Sequence, residues 1–198
     1  MIIMSSCVAV SQETAPKAAS EVKLFKDNAL GISFPEIGKV EKIVGAGYRM
    51  VLGSSDKISG NSPVARIFVS NEPFVDLPGS YGGRLYINSP AAGRLLKERV
   101  FVDTVRIDSI GFTREYWTVY AGMGAWETVI NCYSLQSGKY YIVSFSHDVS
   151  GVKPGEFVDG KQITAQEVKA RLLKSLRDST NTAVQQFNQL VTSFRIDR

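Results

Sequence analysis

Few residues in this chain could carry out chemistry, since its 198 residues include one histidine and two cysteines. His147 is followed directly by Asp148, and a carboxylate can orient an imidazole that activates a thiol such as that of Cys132. Consecutive strand residues point to opposite faces, so Asp148 can orient His147 only where the strand breaks. His147 and Cys132 are therefore the candidate catalytic residues. The alternative is a buried structural cysteine beside an unrelated histidine at a strand end.

Other common catalytic and binding motifs are absent from the sequence. One histidine and two cysteines cannot supply a multi-histidine or four-cysteine zinc site. No Gly-x-Ser-x-Gly elbow or phosphate-binding Gly-Lys-Ser/Thr loop occurs. Gly45-Ala46-Gly47 begins like a dinucleotide fingerprint, but Met50 occupies the position of the third small residue. We therefore expect no metal and no cofactor, and a binding role is favoured over an enzymatic one.

The second cysteine, Cys7, has a different setting. It follows a short apolar stub and two serines, which resembles the end of a bacterial lipoprotein signal. A signal peptide also needs a basic segment and an apolar stretch of about 7–15 residues, and these do not precede Cys7. Either the written start lies inside a longer reading frame, or the resemblance is accidental. The first option predicts lipidation at Cys7.

The segment after Cys7 favours that option. Residues 8–21 are rich in Ala, Ser, Gln, Glu and Thr and lack aromatic residues, which is typical of a flexible tether. We expect residues 1–21 to be a signal remnant and tether, and residues 22–198 to form a single domain. The expected location is the bacterial envelope, with the membrane as partner through the lipid anchor. The alternative is a cytoplasmic protein with a frayed N-terminus.

Composition favours an ordinary folded domain. Hydrophobic residues make up 44% of the chain and charged residues 21%, which argues against general disorder. The net charge of +4 is spread along the chain rather than clustered, so we expect no nucleic-acid partner.

Most of the chain has the pattern of short strands. Alternating or β-branched runs predict strands near residues 30–35, 48–52 and 64–70, then at 100–107, 113–120, 126–135 and 139–147. Gln136-Ser137-Gly138 predicts a hairpin turn between the last two strands. On the last strand, Tyr141, Val143, Phe145 and His147 share a face that we expect to point into the core.

Loops and helices complete the pattern. Residues 73–90 and 148–162 are predicted loops, and residues 91–99 a short helix. Thr164 followed by Glu167 predicts a capping box at the start of a long C-terminal amphipathic helix. Its basic side, with Lys169, Arg171, Lys174 and Arg177, could contact lipid phosphate, although a solvated surface is the simpler interpretation. The expected fold is α+β, with an antiparallel β-sheet covered by helices.

The two ends of the domain carry short motifs that resemble the PsbP-like superfamily. Leu30-Gly31-Ile32-Ser33-Phe34-Pro35 is similar to the extended segment that opens such domains. The segment from Leu190 to Ile196 is similar to the helix and Ser-Phe-Arg-apolar strand that close them. The resemblance implies an α/β/α sandwich and a role in binding or assembly.

Together these observations predict a non-enzymatic bacterial envelope lipoprotein domain that binds or supports another envelope component. The alternative is a small-ligand-binding protein or hydrolase-like enzyme, in which the loops at 73–90 and 148–162 surround His147.

Overall fold

The computed structural model describes residues 23–43, 47–53, 63–76, 84–86, 97–122, 125–147 and 155–197. The strands are β1 (Leu24–Asp27), β2 (Ile32–Pro35), β3 (Val40–Ile43), β4 (Gly47–Val51), β5 (Val64–Ser70), β6 (Phe74–Asp76), β7 (Arg84–Tyr86), β8 (Lys97–Ile107), β9 (Ile110–Gly122), β10 (Ala125–Gln136), β11 (Lys139–His147), β12 (Phe157–Val158), β13 (Lys161–Gln162) and β14 (Arg195–Ile196). The helices are α1 (Ala165–Leu176) and α2 (Thr182–Ser193).

A seven-stranded antiparallel sheet forms the centre of the fold. Its order is β3-β4-β5-β11-β10-β9-β8, so β11 returns across the sheet to pair with β5. A smaller sheet of order β1-β2-β14 joins the two ends of the described chain, and β6–β7 and β12–β13 form separate hairpins. The predicted α+β class with an antiparallel sheet is confirmed.

Two tight turns connect β8 to β9 and β10 to β11. Asp108 and Ser109 connect β8 to β9 with φ values of 47° and 65°, and Ser137 and Gly138 connect β10 to β11 with 49° and 78°. Positive φ at both central residues is typical of the type I′ turn, whose twist matches that of the flanking strands. The hairpin predicted at Gln136-Ser137-Gly138 is therefore confirmed.

The C-terminal helical segment differs from its prediction. The capping box is present, since the Thr164 side chain accepts the Glu167 backbone N–H and the Glu167 side chain accepts that of Thr164. However, the predicted long helix is wrong, because two helices of 12 residues replace it. Asp178 accepts the backbone N–H of Thr180, and Asn181 caps α2 by accepting the N–H of Val184. These short polar side chains compete with helical hydrogen bonding and end the first helix.

Two loop predictions and one helix prediction also need correction. The stretch predicted as irregular at 73–90 contains the paired strands β6 and β7, and that at 148–162 contains the hairpin β12–β13. The last three residues of the helix predicted at 91–99 lie in β8. The other residues of that helix, and residues 77–83, 87–90 and 148–154 of the two loops, lie outside the described chain. Tertiary pairing overrides the turn-rich composition here.

The two helices pack on one side of the seven-stranded sheet, which we call the helix face. Tyr141, Val143 and Phe145 belong to this core, as predicted, and the Phe145 and Phe187 rings stack with centroids 4.6 Å apart. The opposite side of the sheet is called the outer face. Neither α1 nor α2 lies on it, so the second helical layer of a sandwich stays a prediction.

Candidate functional site

Cys132 lies in the middle of β10 and is completely buried on the helix face. Burial raises the pKa of its thiol to about 12. Cysteine reacts as the thiolate, so this thiol stays protonated at neutral pH and is a poor nucleophile. The environment of Cys132 suits a small packing residue.

His147 is the last residue of β11, and its backbone pairs with Thr128, whereas Cys132 pairs with Val143. Four residues along the strand separate the two backbone pairs. At about 3.3 Å per residue, this is about 13 Å. The register therefore places the two candidate residues apart rather than opposite each other. Asp148 and Cys7 lie outside the described residues.

The outer face contains a feature that sequence reasoning missed. Polar side chains occupy directly paired positions on six adjacent strands, from β3 to β9. We call this set the polar row. It consists of Glu41, Arg49, Arg66, Ser144, Asn131 and Glu115.

The centre of the polar row is a buried hydrogen-bonded pair. The Ser144 hydroxyl donates to Asn131 Oδ1 over 2.8 Å, and the two residues are only 1% and 2% exposed. Buried polar groups are costly unless paired, and this contact satisfies one donor and one acceptor. Beside the pair lies a small apolar cluster of Phe68, Tyr133 and Ile142.

The β9 end of the row holds a buried carboxylate. Glu115 Oε2 accepts a 3.2 Å hydrogen bond from Trp117 Nε1, and Oε1 lies 3.5 Å from Arg99 Nη1. The Arg99 guanidinium also lies over the Trp117 ring, 5.9 Å from its centroid. Because a charge-assisted donor and a neutral donor both reach Glu115, its charge is compensated within the face.

Toward the β3 end of the row, β4 and β5 carry two arginines at directly paired positions. Arg49 and Arg66 are direct Cα partners across these strands. Arg49 Nη1 lies 3.9 Å from Glu41 Oε2, while Lys39 Nζ lies 2.9 Å from the other oxygen of the same carboxylate. The hydrogen bond from Lys39 lowers the pKa of Glu41. Arg49 Nε is buried and has no hydrogen-bond partner.

A second polar cluster lies on the helix face near Cys132. Arg114 donates two hydrogen bonds to Asp103, of 2.8 and 2.7 Å, which raises the pKa of the guanidinium. The Tyr116 ring stacks on Phe101 at 3.9 Å and lies 5.3 Å from the Arg114 guanidinium. The Tyr116 hydroxyl has no partner, and burial raises its pKa, so the phenol stays protonated. This cluster supports the packing of β8 on β9 and offers no reactive base.

The predicted basic side of the C-terminal helix is exposed in α1. Arg171, Lys174 and Arg177 line an open depression of about 950 Å³, together with Asp178. Lys169 instead places its ammonium 4.8 Å from the Phe101 ring centroid. The four basic residues therefore do not form one continuous patch.

Within the ranges from 23 to 197 given above, no cluster of three or more His, Cys, Asp or Glu side chains is arranged to hold a metal ion. No helix in the same ranges has the length and apolar character needed to span a membrane.

Aromatic side chains of the central strands divide between the two faces of the sheet. Tyr116 and Tyr141 are buried on the helix face, whereas Trp117 and Tyr133 are buried on the outer face. Strand parity predicts the alternation, but the sequence does not say which strands are neighbours. The polar row was missed for the same reason, because its members become a row only through the pairing of β11 with β5.

Sequence comparison identifies no family: no family model matches the chain, and no curated protein matches it significantly. Solved structures do resemble it. The Ran-binding protein Mog1p of Saccharomyces cerevisiae aligns with a TM-score of 0.49 and 10% identity, covering 88% of this chain and 95% of that one. A Mog1 mutant aligns with a TM-score of 0.49 and 8% identity, covering 89% and 96%.

A cyanobacterial PsbP from Synechocystis sp. PCC 6803 is also similar. It aligns with a TM-score of 0.43 and 12% identity, covering 98% of each chain. This likeness leaves the resemblance of the end motifs to the PsbP-like superfamily a prediction. It carries nothing about ligand or partner.

Proposed function

We propose that this chain is a non-catalytic domain of a bacterial envelope lipoprotein. In this proposal Cys7 carries the lipid, residues 8–21 are the tether, and the outer face binds another envelope component. The polar row is the observation that carries the binding role. Replacing a buried polar pair by apolar groups of similar shape is often neutral or stabilising, so stability alone does not explain Asn131 and Ser144. Because Asn131, Ser144 and Glu115 are almost fully buried, the row shapes the outer face from within, and the exposed side chains on that face make the contact with the partner.

The exposed residues near the row support the same role. Val102, which pairs with Glu115 at the β8 edge, is 44% exposed, and Leu135 on the same face is 54% exposed. Interfaces commonly combine apolar contacts with a few polar groups that fix orientation. These two side chains supply apolar contact beside the polar groups. The protonated, buried thiol of Cys132 further favours binding over nucleophilic catalysis.

The lipid anchor is tested first. We expect the chain, expressed from its natural reading frame in a bacterial host, to incorporate an alkyne-labelled fatty acid and to fractionate with membranes. Cys7→Ser should abolish both, while Cys132→Ser, the matched control, should abolish neither. Labelling that persists in Cys7→Ser, or a lack of in-frame signal codons upstream of Met1, would overturn the lipoprotein part.

The binding face is tested by photo-crosslinking in the same cells. A photoreactive amino acid is placed at Val102 or Leu135 on the outer face, and at Phe157 in the β12–β13 hairpin as a control. Phe157 is more exposed than either, so exposure alone favours the control. We expect the two outer-face positions to capture one common envelope protein, identified by mass spectrometry, that Phe157 does not capture. Equal capture from Phe157, or none from the outer face, would overturn the binding role.

A further inference from the structure

Three exposed basic residues at the C-terminal end of α1 carry an inference about a surface outside the polar row. Arg171, Lys174 and Arg177, which we call the basic end, line the open depression of about 950 Å³. Asp178 is the carboxylate that lines it with them. The depression therefore presents more positive than negative charge to solvent.

The basic end points away from the sheet. The buried residues of α1 are Val168 and Leu172, which belong to the core on the helix face. At about 100° per residue, Lys174 lies about 160° around the helix from Leu172. Arg171 and Arg177 lie about 100° and 140° around it. The basic end is therefore on the far side of α1 from the sheet, and the outer face is on the far side of the sheet from α1.

One carboxylate does not compensate three cations. Hydrogen bonds from Thr180 and, to a smaller extent, the charge of Lys174 lower the pKa of Asp178, so this carboxylate is ionised and attracts Lys174. Its Oδ1 also accepts the backbone N–H and the hydroxyl of Thr180 over 2.9 and 2.6 Å. Within the described parts of the chain, Arg171 and Arg177 form no ion pair. The neighbouring α2 contains no charged residue that could provide one.

The end of α1 does not use these cations either. Basic side chains near a helix C-terminus often bond its last carbonyl groups. Here side chains of α2 do so: the Leu176 carbonyl accepts Asn188 Nδ2 over 3.0 Å, and the Asp178 carbonyl accepts Gln185 Nε2 over 2.9 Å. As far as the described chain extends, the N–H groups of the basic end therefore remain free for an external anion.

We propose that the basic end binds the phosphates of anionic phospholipids, so that α1 rests on a membrane surface. Arg171 and Arg177 each offer a planar N–H fork to phosphate oxygens, and Lys174 adds a third cation. The three residues span about 9 Å along the helix, and the depression is open. This arrangement suits a surface that carries many phosphates better than a single enclosed ion.

The inference rests on the proposed lipid anchor in one respect, because the tether keeps the domain close to a bilayer. Three cations give a weak, salt-sensitive contact rather than an anchor, so Cys7→Ser still releases the domain from washed membranes. The contact of α1 instead fixes the orientation of the anchored domain. The outer face then points away from the bilayer and is open to a partner.

Co-sedimentation with phospholipid vesicles at low ionic strength tests the inference. The full chain carries Cys7→Ser, so that no lipid anchor contributes. We expect binding to vesicles of phosphatidylcholine mixed with phosphatidylglycerol, which sodium chloride weakens, and none to phosphatidylcholine alone. Arg171→Gln, Lys174→Gln and Arg177→Gln together should weaken binding more than about tenfold, since each cation contributes.

The matched control removes three exposed cations elsewhere: Lys39→Gln beside Glu41, Arg106→Gln on the outer face and Lys139→Gln at the start of β11. Both triple variants have the same net charge, so a general attraction of a basic protein would weaken equally in both. We expect the control to lose less than about threefold, because charges beyond a Debye length from the bilayer contribute little. The Tm of both variants, followed by circular dichroism, should match that of the parent chain.

A second measurement leaves the basic end intact. Lysine acetylation by a water-soluble reagent, quantified at each lysine by mass spectrometry, should slow at Lys174 when phosphatidylglycerol vesicles are added. Acetylation of Lys39, near the outer face, should stay unchanged. This comparison does not depend on the folding of any α1 variant.

Four results would overturn the inference: equal binding to phosphatidylcholine alone, equal losses in the two triple variants, unchanged acetylation of Lys174, or release by inorganic phosphate beyond that by sodium chloride of equal ionic strength. The last would assign the site to a soluble phosphate compound. Failure here is distinguishable from failure of the proposed function, because this binding requires neither lipidation nor a partner. If Cys7 is labelled and vesicles do not bind, the anchor stands and the fixed orientation falls. If vesicles bind and labelling fails, the contact of α1 stands without the anchor.

Discussion

The two faces of the seven-stranded sheet bury different kinds of side chain. On the helix face, aromatic and aliphatic groups pack against the helices, as in the stack of Phe145 on Phe187. On the outer face, the middle of the sheet holds the hydrogen-bonded Asn131 and Ser144 and the carboxylate of Glu115. Both faces contain fully buried residues, so burial alone does not distinguish them. Their chemistry does.

This difference in chemistry implies that the two faces contribute differently to the stability of the fold and to recognition of a partner. Apolar burial contributes about 25 cal/mol per Å² whichever atoms are in contact, so it fixes the fold without specifying a partner. Paired polar groups contribute little net stability, but their geometry discriminates strongly between ligands. We therefore expect substitutions on the helix face to lower the stability of the fold most, and those in the polar row to lower it less.

The largest expected effect is on the helix face. Phe145→Ala removes the ring that stacks on Phe187, and we expect the free energy of unfolding to fall by about 3–5 kcal/mol, because the cavity adds to the lost burial. Urea denaturation followed by circular dichroism measures the change. Val102→Ala, an exposed apolar truncation on the outer face, should change the free energy by less than about 0.5 kcal/mol. Similar losses in both variants would contradict the division between the faces.

An intermediate effect is expected at the centre of the polar row. Asn131→Ala leaves the buried Ser144 hydroxyl without its acceptor and should lower the free energy of unfolding by about 1–3 kcal/mol. Adding Ser144→Ala should then cost less than it does in the parent chain, because the donor is removed with its partner. A double-mutant cycle by chemical denaturation measures this coupling. Strictly additive losses would show that the 2.8 Å hydrogen bond between Ser144 and Asn131 contributes nothing to the free energy of unfolding.

The smallest expected effect concerns the helix layer. Thr164→Ala removes one half of the capping box and should lower stability by about 1 kcal/mol. This corresponds to a Tm lower by about 2–4 °C for a domain of this size. Thr192→Ala is the matched control, since the Thr192 hydroxyl only donates to carbonyls within its own helix. A larger loss of Tm in the control would contradict the assignment of the cap.

The capping box also predicts a pH dependence. Hydrogen bonds from Lys161 and Thr164 lower the pKa of Glu167 from 4.5 to about 2. A carboxylate whose pKa is lowered by folding stabilises the protein above pH 4.5, and this contribution is lost as the pH falls toward 2. As the pH falls between these two values, the Tm of Glu167→Gln should therefore decrease less than the Tm of the parent chain. Parallel curves for the two proteins would contradict this origin of the shift.

Local features of the fold were predictable from the sequence. The Ser137-Gly138 turn and the Thr164–Glu167 capping box each depend on a few adjacent residues, and the structure confirms both. The alternation of Tyr141, Val143 and Phe145 likewise needed only strand parity. The division of the long helix was missed because its apolar spacing continues past Asp178. The polar residues from Asp178 to Asn181 were the available signal.

The candidate site depends on contacts that no local pattern contains. Arg66 and Ser144 are neighbours only because β11 pairs with β5. The sequence indicates the single histidine and the two cysteines as candidates for a site because those residue types are rare and reactive. Paired arginines, in contrast, look like ordinary surface residues until the register places them side by side.

The small sheet joins the beginning and the end of the domain. β2 lies between β1 and β14, and the Ser33 hydroxyl donates to Asp197, 164 positions later in the chain. During synthesis, β2 therefore emerges long before its second neighbour exists, and that edge of the strand stays open until β14 follows. A chain cut before β14 would leave the same edge exposed, so the domain is complete only once β14 has been synthesised.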